Sequence, residues 1–199
     1  PVGGVVNSEV ILPDVVGNDI ACSVLLTVTN MPVDADNWFQ QNQPTLEYIM
    51  RNESYFGQEI NPQQVVQHER FFQEGIPVES SLGKQVYETV QRIAPTQFGT
   101  SGDGNHFVEF GVSDGYFRDG QFVNDGKRYL SILSHFGSRM IGSTIAKMFE
   151  DYAQQQVRMP HGIASAPLYM NTPEGADYWH LMQWAGHFAE QGHRWLHKH

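Results

Sequence analysis

Two apolar rhythms share this chain, and neither an all-helical nor an all-strand fold accommodates both. Ile20, Cys22, Val24, Leu26 and Val28 recur at every second position, the period of a strand, reinforced by β-branched side chains. Further on, Ile141, Ile145, Met148, Phe149 and Tyr152 fall at helical spacing, which describes one apolar stripe on a helix. The segments between them continue the mixture. Residues 31–45 are polar and contain proline, a loop pattern, whereas 63–73 and 81–93 carry spaced apolar positions that predict helices. Residues 99–105, GTSGDGN, form a glycine-rich loop that runs into an alternating strand at His106 to Phe110. Phe122-Val123, the turn Asn124-Asp125-Gly126 and Tyr129 to Leu133 predict a hairpin, because Asp-Gly supplies left-handed turn conformations. Another loop spans 158–171. The last helix has Thr172 as N-cap, Pro173 in its first position and Glu174 in its first turn, and runs through most of 174–196. The expected class is α+β, or mixed α/β, with sheets and packed helices.

The 199 residues suffice for one domain with a sizeable core. Twelve basic against 22 acidic residues give a net charge of -10. That balance disfavours wrapping nucleic acid by charge alone and leaves room only for a local basic site. No apolar run has the length of a membrane span, and the first residues carry no basic region followed by an apolar one, so no secretion signal is expected. The chain opens on proline, as a processed product or an excised segment would. One cysteine, Cys22, rules out an internal disulfide and fits an intracellular, cytoplasmic protein. There is no internal repeat, no phosphate-binding G-x-x-x-x-G-K-[ST] and no dinucleotide fingerprint.

Four side chains carry transition-metal chemistry: Asp19, Cys22, His106 and His135. Each lies where a predicted strand meets a turn, the place where a rigid scaffold lets side chains converge. Carboxylate, thiolate and imidazole form a transition-metal ligand set, and a thiolate is able to bridge two cations. Alone, Asp19 reads as a turn carboxylate, Cys22 as a core residue and either histidine as a structural one. A Cys-His nucleophile pair is the competing chemistry. The glycine loop with Asn105 suits either a phosphate contact or an ordinary surface turn. Gly137-Ser138-Arg139 opens a predicted helix, where free N–H groups and a guanidinium would meet an anion, or where a solvated cap would end. His193 and His197 stand four apart on the last helix; without H-E-x-x-H they read as a solvated, histidine-rich end rather than a second metal site.

Taken together, the motifs point to one family. Gly-Asn-Asp19-Ile-Ala-Cys22 resembles the D-I-G-C motif of the RtcB-type RNA ligases, the tRNA-splicing ligases. GTSGDGNHFVEF (99–110) resembles their G-T-L-G-x-G-N-H-F-x-E motif, and SHFGSRMIG (134–142) their H-S-G-S-R-G-x-G motif. PEGADYWHLMQWAGHFAEQGHR (173–194) resembles their G-x-D-Y helix. The resemblance runs in the family's order from residue 1 to about 194 and implies a single RtcB-like domain over residues 1–199, partial relative to the family. It implies that Asp19, Cys22, His106 and His135 ligate two Mn²⁺ ions with the cysteine bridging; affinity order alone would favour Zn²⁺. It further implies that Asn105, Phe107 and Glu109 contact the guanine nucleotide of GTP and that Arg139 meets RNA phosphate. The implied activity is GTP- and Mn²⁺-dependent joining of an RNA 3′-phosphate, or 2′,3′-cyclic phosphate, to a 5′-hydroxyl, as in tRNA splicing or RNA repair.

The departures from the family pattern are specific. The H-N ligand motif and the S-H-G-A-G-R motif with the nucleophilic histidine are absent from this sequence, so no catalytic residue is nominated. Ala21 and Ser23 replace glycines beside Cys22, Phe136 replaces a small residue, Met140 replaces glycine, and His193-Arg194 stands where Asn-Arg is usual. These changes are expected to crowd the site. The alternative expectation is a shortened, divergent homologue that keeps metal binding but has lost ligation, serving as a metal- or RNA-binding module.

Overall fold

A computed structural model describes residues 8–56, 75–159 and 165–198. The predicted helix at 63–73 lies outside the described residues. The architecture is mixed α and β, as the two rhythms require. Its centre is a three-stranded antiparallel sheet in the order β2 (Ser23–Pro32), β8 (Tyr129–Phe136), β5 (Phe107–Ser113). Register pairs Val24 with His135 and His135 with Phe107, so these three share a row on one face. Ser134 and Phe136, one step to either side, point to the opposite face and are buried.

Helices cover that opposite side. α3 (Ser81–Gln97), α4 (Met140–Gln156) and α5 (Pro173–Leu196) pack on one another. Val86, Val90 and Ala94 of α3 meet Ile141, Ile145 and Phe149 of α4 and Tyr178, Leu181, Ala185 and Phe188 of α5 in one buried cluster. The spacing of each set is three or four residues, the stripe that a core-facing helix needs. Ser80 caps α3 through Gly83 N, and Asp177 of α5 accepts from Ser80 N, Ser80 Oγ and Glu79 N, tying the two helices at one end. Gly83 is required there because a Cβ would collide with the Asp177 carboxylate. The short helix α1 (Pro13–Val16) leans on α4. Strand β1 (Val10–Ile11) pairs with β9 (Leu168–Tyr169), so the predicted loop 158–171 contains two strand residues.

Three sequence expectations change. Residues 31–45 are mostly helix: α2 spans Ala35–Glu53 and keeps Pro44 in its interior. Trp38, Asn42, Leu46, Ile49 and Met50 form its half-buried stripe, and Pro44 lies on the exposed side, where it costs one backbone bond. The hairpin is placed one turn earlier than expected. β6 (Tyr116–Arg118) pairs with β7 (Gln121–Val123) around Asp119-Gly120, both at positive φ, while the segment 124–128 leads into β8 without pairing β7 to it. Finally, the strand predicted from Ile20 starts at Ser23, because Asp19 to Cys22 form a turn closed by Cys22 N donating to Asp19 O.

Candidate metal centre

Asp19 and Cys22 come from that turn, His106 from the residue before β5, and His135 from the penultimate residue of β8. The turn is held from behind. Ser138 N and Ser138 Oγ both donate to Ile20 O, fixing the Asp19–Cys22 loop to the start of α4. Gly137 and Gly142 permit this approach: a Cβ on Gly137 would collide with the Asp19 carboxylate, and one on Gly142 would run into Ser138 and Ile20. Ala21 sits at φ 64°, a left-handed conformation that costs an L-residue roughly 1 kcal/mol relative to glycine.

Three of the four donors converge, and the fourth, His135, meets the sulfur. Cys22 Sγ lies 2.8 Å from His135 Nε2 and 3.7 Å from His106 Nε2. His106 Nε2 lies 3.0 Å from Asp19 Oδ2. Donor atoms of Asp19, Cys22 and His106 all fall within 4.8 Å of one another, a group able to hold a metal ion, and His135 joins through the sulfur. Burial, then the hydrogen bond and charge of Asp19, push the Cys22 thiol up to about 12, so the metal-free sulfur is a neutral thiol, and a bound cation would favour its thiolate. His106 Nδ1 is buried without a hydrogen-bond partner. Sulfur, two imidazole nitrogens and a carboxylate suit a divalent transition metal.

Arg139 stands on the same wall. Its Nε donates to Thr100 Oγ1 at 3.3 Å, and a Cβ on Gly102 would collide with both its guanidinium and the His106 ring. Burial lowers its pKa while Asp103 and Asp19 oppose that shift. Part of the glycine segment is therefore neither an open phosphate loop nor a surface turn. Thr100–Gly102 is a buried strand, β4, pairing with β3 (Tyr55–Phe56), and Gly102 makes room for His106 and Arg139. The Ser138 N–H, spent on Ile20, is not available to an anion. Phe107 is half-buried with its ring edge toward His135 at 5.6 Å, Glu109 is exposed two residues along the same face, and Asn105 is exposed in the turn before β5.

The expected crowding does not occur at Phe136 and Met140. Phe136 is buried on the far face, stacked on the His193 ring at 3.6 Å, and Met140 is exposed at the start of α4. His193 is likewise no solvated helix end. It is buried, Nε2 donates to Phe136 O at 3.0 Å, and Ser134 Oγ lies 2.6 Å from Nδ1 and 2.7 Å from His197 Nε2. Sequence reasoning missed this cluster, since nothing in Ser134 or the two histidines marks which face of the sheet they meet.

A family model described as tRNA-splicing ligase RtcB matches residues 1–199. The chain belongs to the RtcB family. Membership gives it an RNA-ligase-like function and metal binding at the level of the family. No curated protein matches the chain. Among the described residues, no helix is long and apolar enough to cross a membrane.

Proposed function

We propose that this RtcB-family chain is a single partial domain of a GTP- and Mn²⁺-dependent RNA ligase that joins RNA 3′-phosphate or 2′,3′-cyclic phosphate ends to 5′-hydroxyl ends in tRNA splicing or RNA repair, in the cytoplasm. The observation that carries the reading is one sulfur within 3.7 Å of two imidazoles, one in β8 and one just before β5, with a carboxylate closing on the second. Asp19, Cys22, His106 and His135 would hold two manganese ions. Bound there, the ions supply Lewis acidity and neutralise phosphate charge.

The chain's own groups do the positioning. The 3.0 Å approach of Asp19 Oδ2 to His106 Nε2 brings these two donor atoms to one point. Arg139 presents a guanidinium fork to RNA phosphate from the wall shared with His106. Phe107 and Glu109, on the face that carries His135, offer an aromatic surface and a carboxylate to the guanine nucleotide, and Asn105 offers a donor and an acceptor from the turn. No described histidine is assigned as nucleophile. His106 and His135 belong to the metal centre, and His193 and His197 are committed to Ser134.

The test is incubation with labelled GTP and Mn²⁺, followed by denaturing gel and metal analysis. Covalent label on the chain supports the ligase reading. Metal uptake without label supports the second reading, a homologue that keeps metal binding but does not ligate. Neither metal nor label retires both.

A further inference from the structure

We infer that His193, His197 and Ser134 are positioning residues for His135, bracing it from the far side of the sheet. The inference rests on the metal-centre reading above. His135 is flanked in β8 by Ser134 and Phe136, and both neighbours are gripped by the same cluster on α5. Phe136 O only accepts, so His193 Nε2 carries the proton and donates to it at 3.0 Å. His193 Nδ1 then accepts from Ser134 Oγ at 2.6 Å. His197 Nε2 donates to the same hydroxyl at 2.7 Å, and His197 Nδ1 accepts from Thr27 Oγ1 at 2.8 Å. Every nitrogen of the two rings is satisfied in a single arrangement with both rings neutral. The Phe136 ring, stacked on His193 at 14°, removes sideways play.

A contact to Ser23 Oγ at 3.4 Å also reaches the strand after Cys22, but it is the longest of the set. The cluster thus holds the residues on either side of His135 and ties them to Thr27 of the neighbouring strand. A fixed backbone on both sides of a ligand fixes where its ring emerges on the open face, a less direct support than the hydrogen bonds to ligand side chains whose loss costs about 10–100-fold in metal affinity.

The experiment is a double-mutant cycle with Co²⁺ as the probe, read by the thiolate-to-metal absorption band. His193→Ala should weaken Co²⁺ binding about tenfold. The same substitution made on a His135→Ala background should change affinity less than about twofold, because its effect runs through the missing ring. His193→Asn, which keeps a donor for Phe136 O, should restore most of the affinity. An equal loss in both backgrounds, or no loss in either, overturns the inference. Imidazole NMR of the metal-free protein gives a second readout. His197→Ala should shift and broaden the His135 ring signals and leave those of His106 in place; unmoved His135 signals overturn the inference even if His193→Ala does not fold. A wild-type chain that takes up no cobalt sinks the metal-centre reading, and this inference with it.

Discussion

The two faces of β8 carry histidine chemistry of opposite kinds. On the open face, His135 meets an exposed cysteine and lies close to His106, whose Nδ1 is buried and unpartnered. On the closed face, His193 and His197 have a partner for each ring nitrogen, and burial holds both below the usual imidazole range, His197 to about 4. An incompletely paired set of donors is able to take a ligand, whereas a saturated one holds the backbone. The same residue type serves both purposes, and its hydrogen-bond inventory decides which.

The sharpest way to separate the faces is Cys22→Ser. It should lower affinity for Mn²⁺ or Co²⁺ by at least about 100-fold, roughly 3 kcal/mol, and leave the thermal midpoint of the metal-free protein unchanged. Calorimetric titration and a melting curve check both halves; metal content that survives the substitution removes Cys22 from the site. Ser134→Ala attacks the closed face. It leaves two buried imidazole nitrogens without a partner and should cost about 1–3 kcal/mol in urea unfolding.

Acid should discriminate more gently. His197 binds a proton near 6.5 when unfolded and near 4 when folded. The unfolded chain therefore holds more protons between those values, and this contribution to stability is present above pH 6.5 and lost as pH falls toward 4. After a discount for its partial exposure, the expected loss between pH 7 and pH 5 is about 1 kcal/mol. Urea midpoints of wild type and His197→Gln at the two pH values should differ accordingly; parallel curves would place His197 outside the closed network. The smallest effect belongs to the turn that joins the faces. Ala21→Gly should stabilise the protein by up to about 1 kcal/mol by relieving the left-handed alanine, a gain that a chemical denaturation series resolves.

The open face was legible in the sequence because its residue types are chemically distinctive and stand at strand–turn junctions inside family motifs. The closed face was not. Ser134 is an unremarkable serine until Thr27, His193 and His197 are folded around it, and those contacts span 59 to 170 residues. The helix at Ala35–Glu53 was hidden by Pro44 and by polar composition, local signals that argue against a helix. The hairpin was misplaced because two Asp-Gly pairs compete within eight residues, Asp119-Gly120 and Asp125-Gly126. Local preference favours either, and Phe117 opposite Phe122 is the cross-strand pair found around the first.

Alternation along β8 also makes the reading frame of that strand a single point of failure. Deleting one residue between Tyr129 and Leu133 would rotate all that follows by half a turn, setting a phenyl ring where the His135 imidazole stands and turning that imidazole toward His193 and His197. Both ladders of the sheet, pairing β8 on its two edges, thus guard chemistry as much as shape.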